Sequence, residues 1–248
     1  MPAGTEVISF WGIREPFSML SHSSGALLAV IGLVLLLRRA LVHELSWRTC
    51  TVFAVYAASL VIAFSASAIF HYFPWSAEEL VALKKLDHAA IFIFIAGTCT
   101  VLLHAGCSHR RRELIAGCLL ISMAALTLKM IYWPMSLWMS ALVYLTVGWT
   151  AAASVLHALR HVAWDDLRLL IVGMAVYTLA AVVFATEVPV VWPGVIEGHE
   201  LFHLMTLAGA AAHFQFIHRH CTVPASLQSN ATRHAAGRLN LAADPRGS

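Results

Sequence analysis

FSMLSHSSGALLAVIGLVLLL, residues 17–37, runs for twenty-one positions without an Asp, Glu, Lys or Arg. At a rise of 1.5 Å per residue such a run makes a helix of about 30 Å, the hydrocarbon thickness of a bilayer. Residues 1–16 are mixed and polar and show no cleavable leader pattern, so this first run reads as a permanent span. Six more apolar runs follow at residues 50–70 (continuing to 73), 89–105, 114–133, 134–156, 169–185 and 201–217. The fourth is interrupted by Lys129 and parted from the fifth only by Tyr132, Trp133 and Pro134. Tyr and Trp suit a membrane interface, and Pro134 suits the first turn of a new helix.

Composition agrees. Hydrophobic residues make up 60% of the chain and charged residues 12%, against about a quarter charged in a soluble domain. The expectation is an all-α polytopic membrane protein, a seven-transmembrane-helix bundle. A short N-terminal segment (1–16) precedes one membrane domain (17–218), and a polar, disordered tail (219–248) follows it. The five cysteines form no CxxC pair and read as small core residues. A net charge of +3 with dispersed arginines fits anionic lipid headgroups and gives no sign of nucleic acid.

Seven spans place the termini on opposite faces. The N-terminal face receives Arg14, Lys84, Lys85 and Lys129, whereas Arg38, Arg39, Arg48, Arg110, Arg111, Arg112, Arg160, Arg168 and Arg219 lie near the membrane on the other. The positive-inside rule then sets the N-terminus outside the cytoplasm.

Connectivity also delivers polar residues to one depth near the N-terminal face. His71 ends the second run with Ser67 one turn deeper, Asp87 and His88 open the third, His199, Glu200 and His203 open the seventh, and His22 enters with the first. His199 and His203 are four apart, so on a helix they share one face and can share one ion. With fourteen histidines in the chain that spacing also arises by chance, and the pair gains weight only from its company. Taken singly, Ser67 can bond back to its own helix and Asp87 can pair with Lys84 or Lys85 at a helix start. Taken together, ionisable groups in a membrane cost roughly 2.5–3.5 kcal/mol each and therefore seek partners. A divalent cation satisfies several at once. Three neutral imidazoles at about 2.0–2.1 Å leave a fourth tetrahedral position for water, which suits Zn2+, although imidazole also accepts iron, copper or nickel. The expected ligands are His71, His199 and His203. Asp87 is expected as general base or acceptor for the activated water, and Ser67 as a hydrogen-bond donor beside it. His213, ten residues beyond His203, belongs to another layer and reads as a packing or hydrogen-bonding residue.

Several stretches carry a family resemblance: Ser67 to His71, Leu83-Lys84-Lys85-Leu86-Asp87-His88-Ala89-Ala90-Ile91 with Ile95-Ala96-Gly97-Thr98, Tyr144-Leu145-Thr146-Val147-Gly148-Trp149, and His199-Glu200-Leu201-Phe202-His203 with Gly209 to His213-Phe214. Together they resemble the bacterial hemolysin III family of the progestin and adipoQ receptor superfamily, which includes the adiponectin receptors and is related to the alkaline ceramidases. The resemblance covers residues 17–218. It implies a seven-helix bundle with zinc held at His71, His199 and His203 and with Ser67 and Asp87 close by. It further implies a zinc-dependent hydrolase of lipid amides such as ceramides, using a metal-activated water, in the bacterial inner membrane with membrane lipids as partners. Two other classes compete: a receptor-like or membrane-homeostasis protein with structural zinc, and a metal or proton transporter. The last needs a polar path across the bundle, of which the sequence shows little apart from His213.

Overall fold

The computed structural model describes residues 12–106, 110–160 and 162–222, so most of the tail expected to be disordered, together with Cys107, His109 and His161, lies outside the described residues. Seven helices follow in order: α1 (Pro16–Val42), α2 (Trp47–Tyr72), α3 (Ala77–Gly106), α4 (Arg111–Ile131), α5 (Leu137–Ala158), α6 (Trp164–Thr186) and α7 (Gly198–Phe216), the last running into a π-helical turn (Ile217–Cys221). No strand is formed among the described residues. Six helices are long and apolar enough to cross a membrane. The exception, α7, is diluted by His199, Glu200, His203, His213 and Gln215.

Local chemistry fixes the helix starts. Pro16 occupies the first position of α1, where its missing N–H costs nothing. Ser46 and Ser136 cap α2 and α5 by accepting from Thr49 N and Met139 N, each at 3.3 Å. Ser76 and Glu79 form reciprocal contacts at the start of α3, with Ser76 N donating to Glu79 Oε2 at 2.9 Å and Glu79 N to Ser76 Oγ at 3.4 Å.

Packing closes six helices into a ring in the order α1, α2, α3, α5, α6, α7 and back to α1, with α4 outside against α3 and α5. Large apolar side chains such as Leu27, Leu28, Leu120 and Met123 point outward, as a hydrocarbon solvent requires. The described residues therefore form an all-α polytopic membrane protein.

Three local expectations change. First, α3 begins at Ala77, so Asp87 and His88 stand in its third turn and not at its start; the capped, charged stretch before Leu86 extends the helix beyond its apolar part. Asp87 thus lacks the helix-terminus role, and among the described residues it makes no ion pair with Lys84 or Lys85. Second, Pro134 lies in the link, because Ser136 supplies the cap and α5 starts at Leu137. Third, Lys129, which interrupts the fourth run and by sequence counts among the cations of the N-terminal face, is withdrawn from both water and headgroups. It is fully buried near the end of α4, donating from Nζ to Ser140 Oγ at 2.6 Å beneath the Trp133 and Tyr144 rings. Two aromatic faces and one hydroxyl replace water around it.

Candidate metal centre

α2 carries Ser67 and His71 one turn apart to its C-terminal end, where both are buried. The start of α7 is set by a capping box in which Glu197 accepts from the backbone N–H of Glu200 while Glu200 Oε2 accepts from Glu197 N at 3.0 Å. A Cβ on Gly198 would strike the backbone of Glu187, whose Cα and O lie at 2.8 Å, so only glycine lets α7 begin against the left-handed residue that closes α6. His199 and His203 then project together toward His71.

The three imidazoles converge. His199 Nε2 stands 3.4 Å from His71 Nε2 and 3.1 Å from His203 Nε2, and the three donor atoms all lie within 4.8 Å of one another. Ligands at 2.0–2.1 Å from a tetrahedral centre are separated by about 3.3–3.4 Å, close to the spacing that His199 Nε2 keeps from each of the other two rings. His71 Nδ1 donates to the Glu15 carboxylate, which leaves the Nε2 lone pair facing the other two rings. A carboxylate behind a ligating histidine fixes its tautomer and raises its basicity. The donor set, its spacing and this support fit a divalent cation.

Glu15 is the residue that sequence reasoning missed. It caps nothing with its side chain; instead Glu15 N bonds His71 O at 3.1 Å and Arg14 N bonds Tyr72 O at 2.8 Å, which lays the segment before α1 across the end of α2. Arg14 pairs with the Glu15 carboxylate at 2.8 Å and reaches Phe70 O at 2.6 Å. Burial pushes the Glu15 carboxyl up, but the hydrogen bond from His71 and the positive charge around it hold it below the usual carboxylate range. The available signal was an acid in Arg14-Glu15-Pro16 immediately before an apolar run. Two further contacts brace the centre: Ser18 Oγ donates to Glu200 Oε1 at 3.0 Å, and His22 stacks on His203 with centroids 3.9 Å apart.

Inside the helix ring lies a cavity of about 200 Å3, lined by α1, α2, α3, α5, α6 and α7 and not by α4. His22, Ser67, Asp87, His199 and His203 line one end, and mostly apolar side chains line the rest. Ser67 Oγ adjoins the Asp87 carboxylate but makes no hydrogen bond in proper geometry, so it does not bond back to its own helix. Asp87 is half-buried and Ser67 fully so.

The helix ring, its outward apolar surface and the three-histidine cluster define a multi-pass membrane protein with a site able to hold a metal ion. Comparison with known proteins places it further: residues 10–214 match the family described as haemolysin-III related, and the chain belongs to that family. It is 26% identical to hemolysin-3 of Bacillus cereus over 204 residues, covering 81% of this chain and 89% of that protein. It is 23% identical to the hemolysin-3 homolog of Bacillus subtilis (strain 168) over 209 residues, covering 84% and 94%.

Proposed function

We propose that this protein is a zinc-dependent hydrolase of lipid amides, working at the boundary between a polar layer and an apolar cavity in the bacterial inner membrane. The observation that carries the reading is the convergence of three imidazoles, with His199 Nε2 3.4 Å and 3.1 Å from the other two and all three donor atoms within 4.8 Å, beside a cavity lined by a carboxylate and a hydroxyl. Bound at His71, His199 and His203, zinc supplies Lewis acidity that polarises a carbonyl and lowers the pKa of a water.

The chain's own residues do the rest. The apolar walls hold a hydrocarbon chain and exclude bulk water, which strengthens every polar contact at the reacting end. Asp87 accepts a proton from the attacking water as its oxygen bonds the carbonyl carbon. Ser67 Oγ, with no partner of its own, donates to the carbonyl oxygen as negative charge develops there. Asp87 then returns the proton to the leaving nitrogen as the C–N bond breaks, giving a carboxylic acid and an amine.

The test combines elemental analysis with hydrolysis of a fluorogenic ceramide by purified wild type, Asp87→Asn and the His199→Ala/His203→Ala pair. About one zinc per chain is expected in the first two and none in the third, with turnover lowered at least 100-fold in Asp87→Asn. A second reading draws on the fact that the ligands join the end of α2 to the start of α7: zinc would then be a clamp in a receptor-like or homeostasis protein. Zinc without turnover in wild type supports that reading, and wild type without zinc removes both.

A further inference from the structure

The far part of the cavity is not uniformly apolar. Thr98 and His213 are buried and Tyr177 is half-buried, all three line it, and among the described residues Thr98 Oγ1, Tyr177 hydroxyl oxygen and His213 Nδ1 have no hydrogen-bond partner. The Tyr56 hydroxyl, fully buried though not part of the cavity lining, has none among the described residues either. Unpaired polar atoms in a protein interior cost on the order of 1–3 kcal/mol each, so three lining one cavity call for a missing partner.

Their depth is shared. Thr98 follows Asp87 by eleven residues on α3, His213 follows His203 by ten on α7, and Tyr56 precedes Ser67 by eleven on α2, which runs the opposite way. Each step is roughly 15 Å along a helix, so three elements bring polar atoms to the same level. The seat is built from glycines. Gly173 on α6 admits the His213 ring, and Gly209 on α7 admits the Tyr177 ring; a Cβ at either would strike the opposing ring, with Tyr177 Cε1 only 2.7 Å from one on Gly209. The two rings meet edge to face at 5.2 Å, and His213 Nε2 donates to Leu170 O at 3.2 Å, which leaves Nδ1 as an acceptor. Thr98 and Tyr177 can each donate or accept.

We infer that Thr98, Tyr177 and His213 form a second polar subsite in the cavity, which hydrogen-bonds a hydroxyl group carried mid-chain on the hydrocarbon of the lipid bound there. The inference rests on the reading of the cavity as a lipid site but not on hydrolysis. A plain alkyl chain leaves these groups unsatisfied, whereas a hydroxyl donates to His213 Nδ1 and accepts from Thr98 or Tyr177.

The test is displacement of cis-parinaric acid from the purified full-length chain by stearic acid, by its mid-chain hydroxy derivative and by its 2-hydroxy derivative. Wild type binds the mid-chain hydroxy acid about tenfold more tightly than stearic acid, as two net hydrogen bonds allow. The 2-hydroxy acid gains nothing from the subsite. Tyr177→Phe combined with Thr98→Val keeps the affinity for stearic acid and loses most of the preference. Because neither hydroxyl has a partner among the described residues, the pair also keeps or raises Tm. The inference is overturned if wild type binds the hydroxy and plain acids equally, if the variant keeps the preference, if its Tm drops by several degrees, or if no acid displaces the probe. Absence of ceramide turnover beside a retained mid-chain preference retires the hydrolase reading and leaves the subsite standing.

Discussion

Replacing Glu15 isolates the support of the proposed metal centre from the three histidines that could hold the ion. Glu15→Gln keeps an oxygen that can accept from His71 Nδ1 but removes the negative charge, while Glu15→Ala removes the acceptor altogether. The backbone bonds that seat the segment, Glu15 N to His71 O and Arg14 N to Tyr72 O, survive both changes. Loss of a carboxylate behind a ligating histidine costs typically 10- to 100-fold in metal affinity, or about 1.4–2.7 kcal/mol. The Glu15 charge is already shared with Arg14 at 2.8 Å, so the Gln variant belongs at the lower end, near tenfold. The Ala variant strands His71 Nδ1 in a site only 1% exposed and belongs at the upper end. Competition with a chromophoric zinc chelator measures both. Equal affinities for wild type and Glu15→Ala would refute the claim that this carboxylate sets the His71 tautomer.

The pH dependence of this tie has a definite sign. The Glu15 carboxyl is held below its ordinary value of 4.5, so it stays ionised through neutral and mildly acidic solution. The stability it contributes is fully present above 4.5 and is lost only as pH falls through the lowered value. Glu15→Gln should therefore lower Tm near neutrality and flatten the acid limb of a Tm-against-pH curve, so that the wild-type and variant curves converge as pH falls through the lowered value.

Three further outcomes follow from particular contacts. Gly198→Ala should lower Tm with a cost of about 1–3 kcal/mol and weaken zinc binding together, because its Cβ meets the Glu187 backbone and displaces the helix start that carries His199; thermal melts and chelator competition report the pair. Ser140→Ala should cost about 1–3 kcal/mol by stranding the Lys129 ammonium, and Lys129→Met added to it should recover most of that loss, measured by chemical denaturation in detergent. Gly209→Ala should damage the deep subsite by pushing on Tyr177, reducing the mid-chain hydroxyl preference while leaving zinc content at wild-type level, since the change lies six residues beyond His203.

How much of this was legible in the sequence depends on whether a contact is short or long in range. Helix existence was readable because a bilayer imposes one length and one polarity on every span, and the i,i+4 spacing of His199 and His203 needs nothing beyond one helix. His71 joined them by connectivity alone, since α2 ends and α7 begins at the same face. Hydropathy failed where a charge is accommodated by tertiary structure. Lys129 read as an interruption of the fourth run because its hydroxyl partner is on the next helix and its aromatic cover comes from the link and that helix, which reach it only after α5 folds back on α4. The extension of α3 was written in Ser76 and Glu79, a capping signature that a reading by apolar runs passes over. Glu15 lies 56 residues from the imidazole it supports, and no spacing rule spans that distance. The deep polar atoms are harder still. Thr98, Tyr177 and His213 are ordinary residues for helices, and what sets them apart is the lack of a partner, a property of three packed elements and of two glycines that let the rings in. The residues that could hold an ion are thus announced by local pattern and by the order of the spans, whereas the proposed deep subsite is defined only by the space between helices.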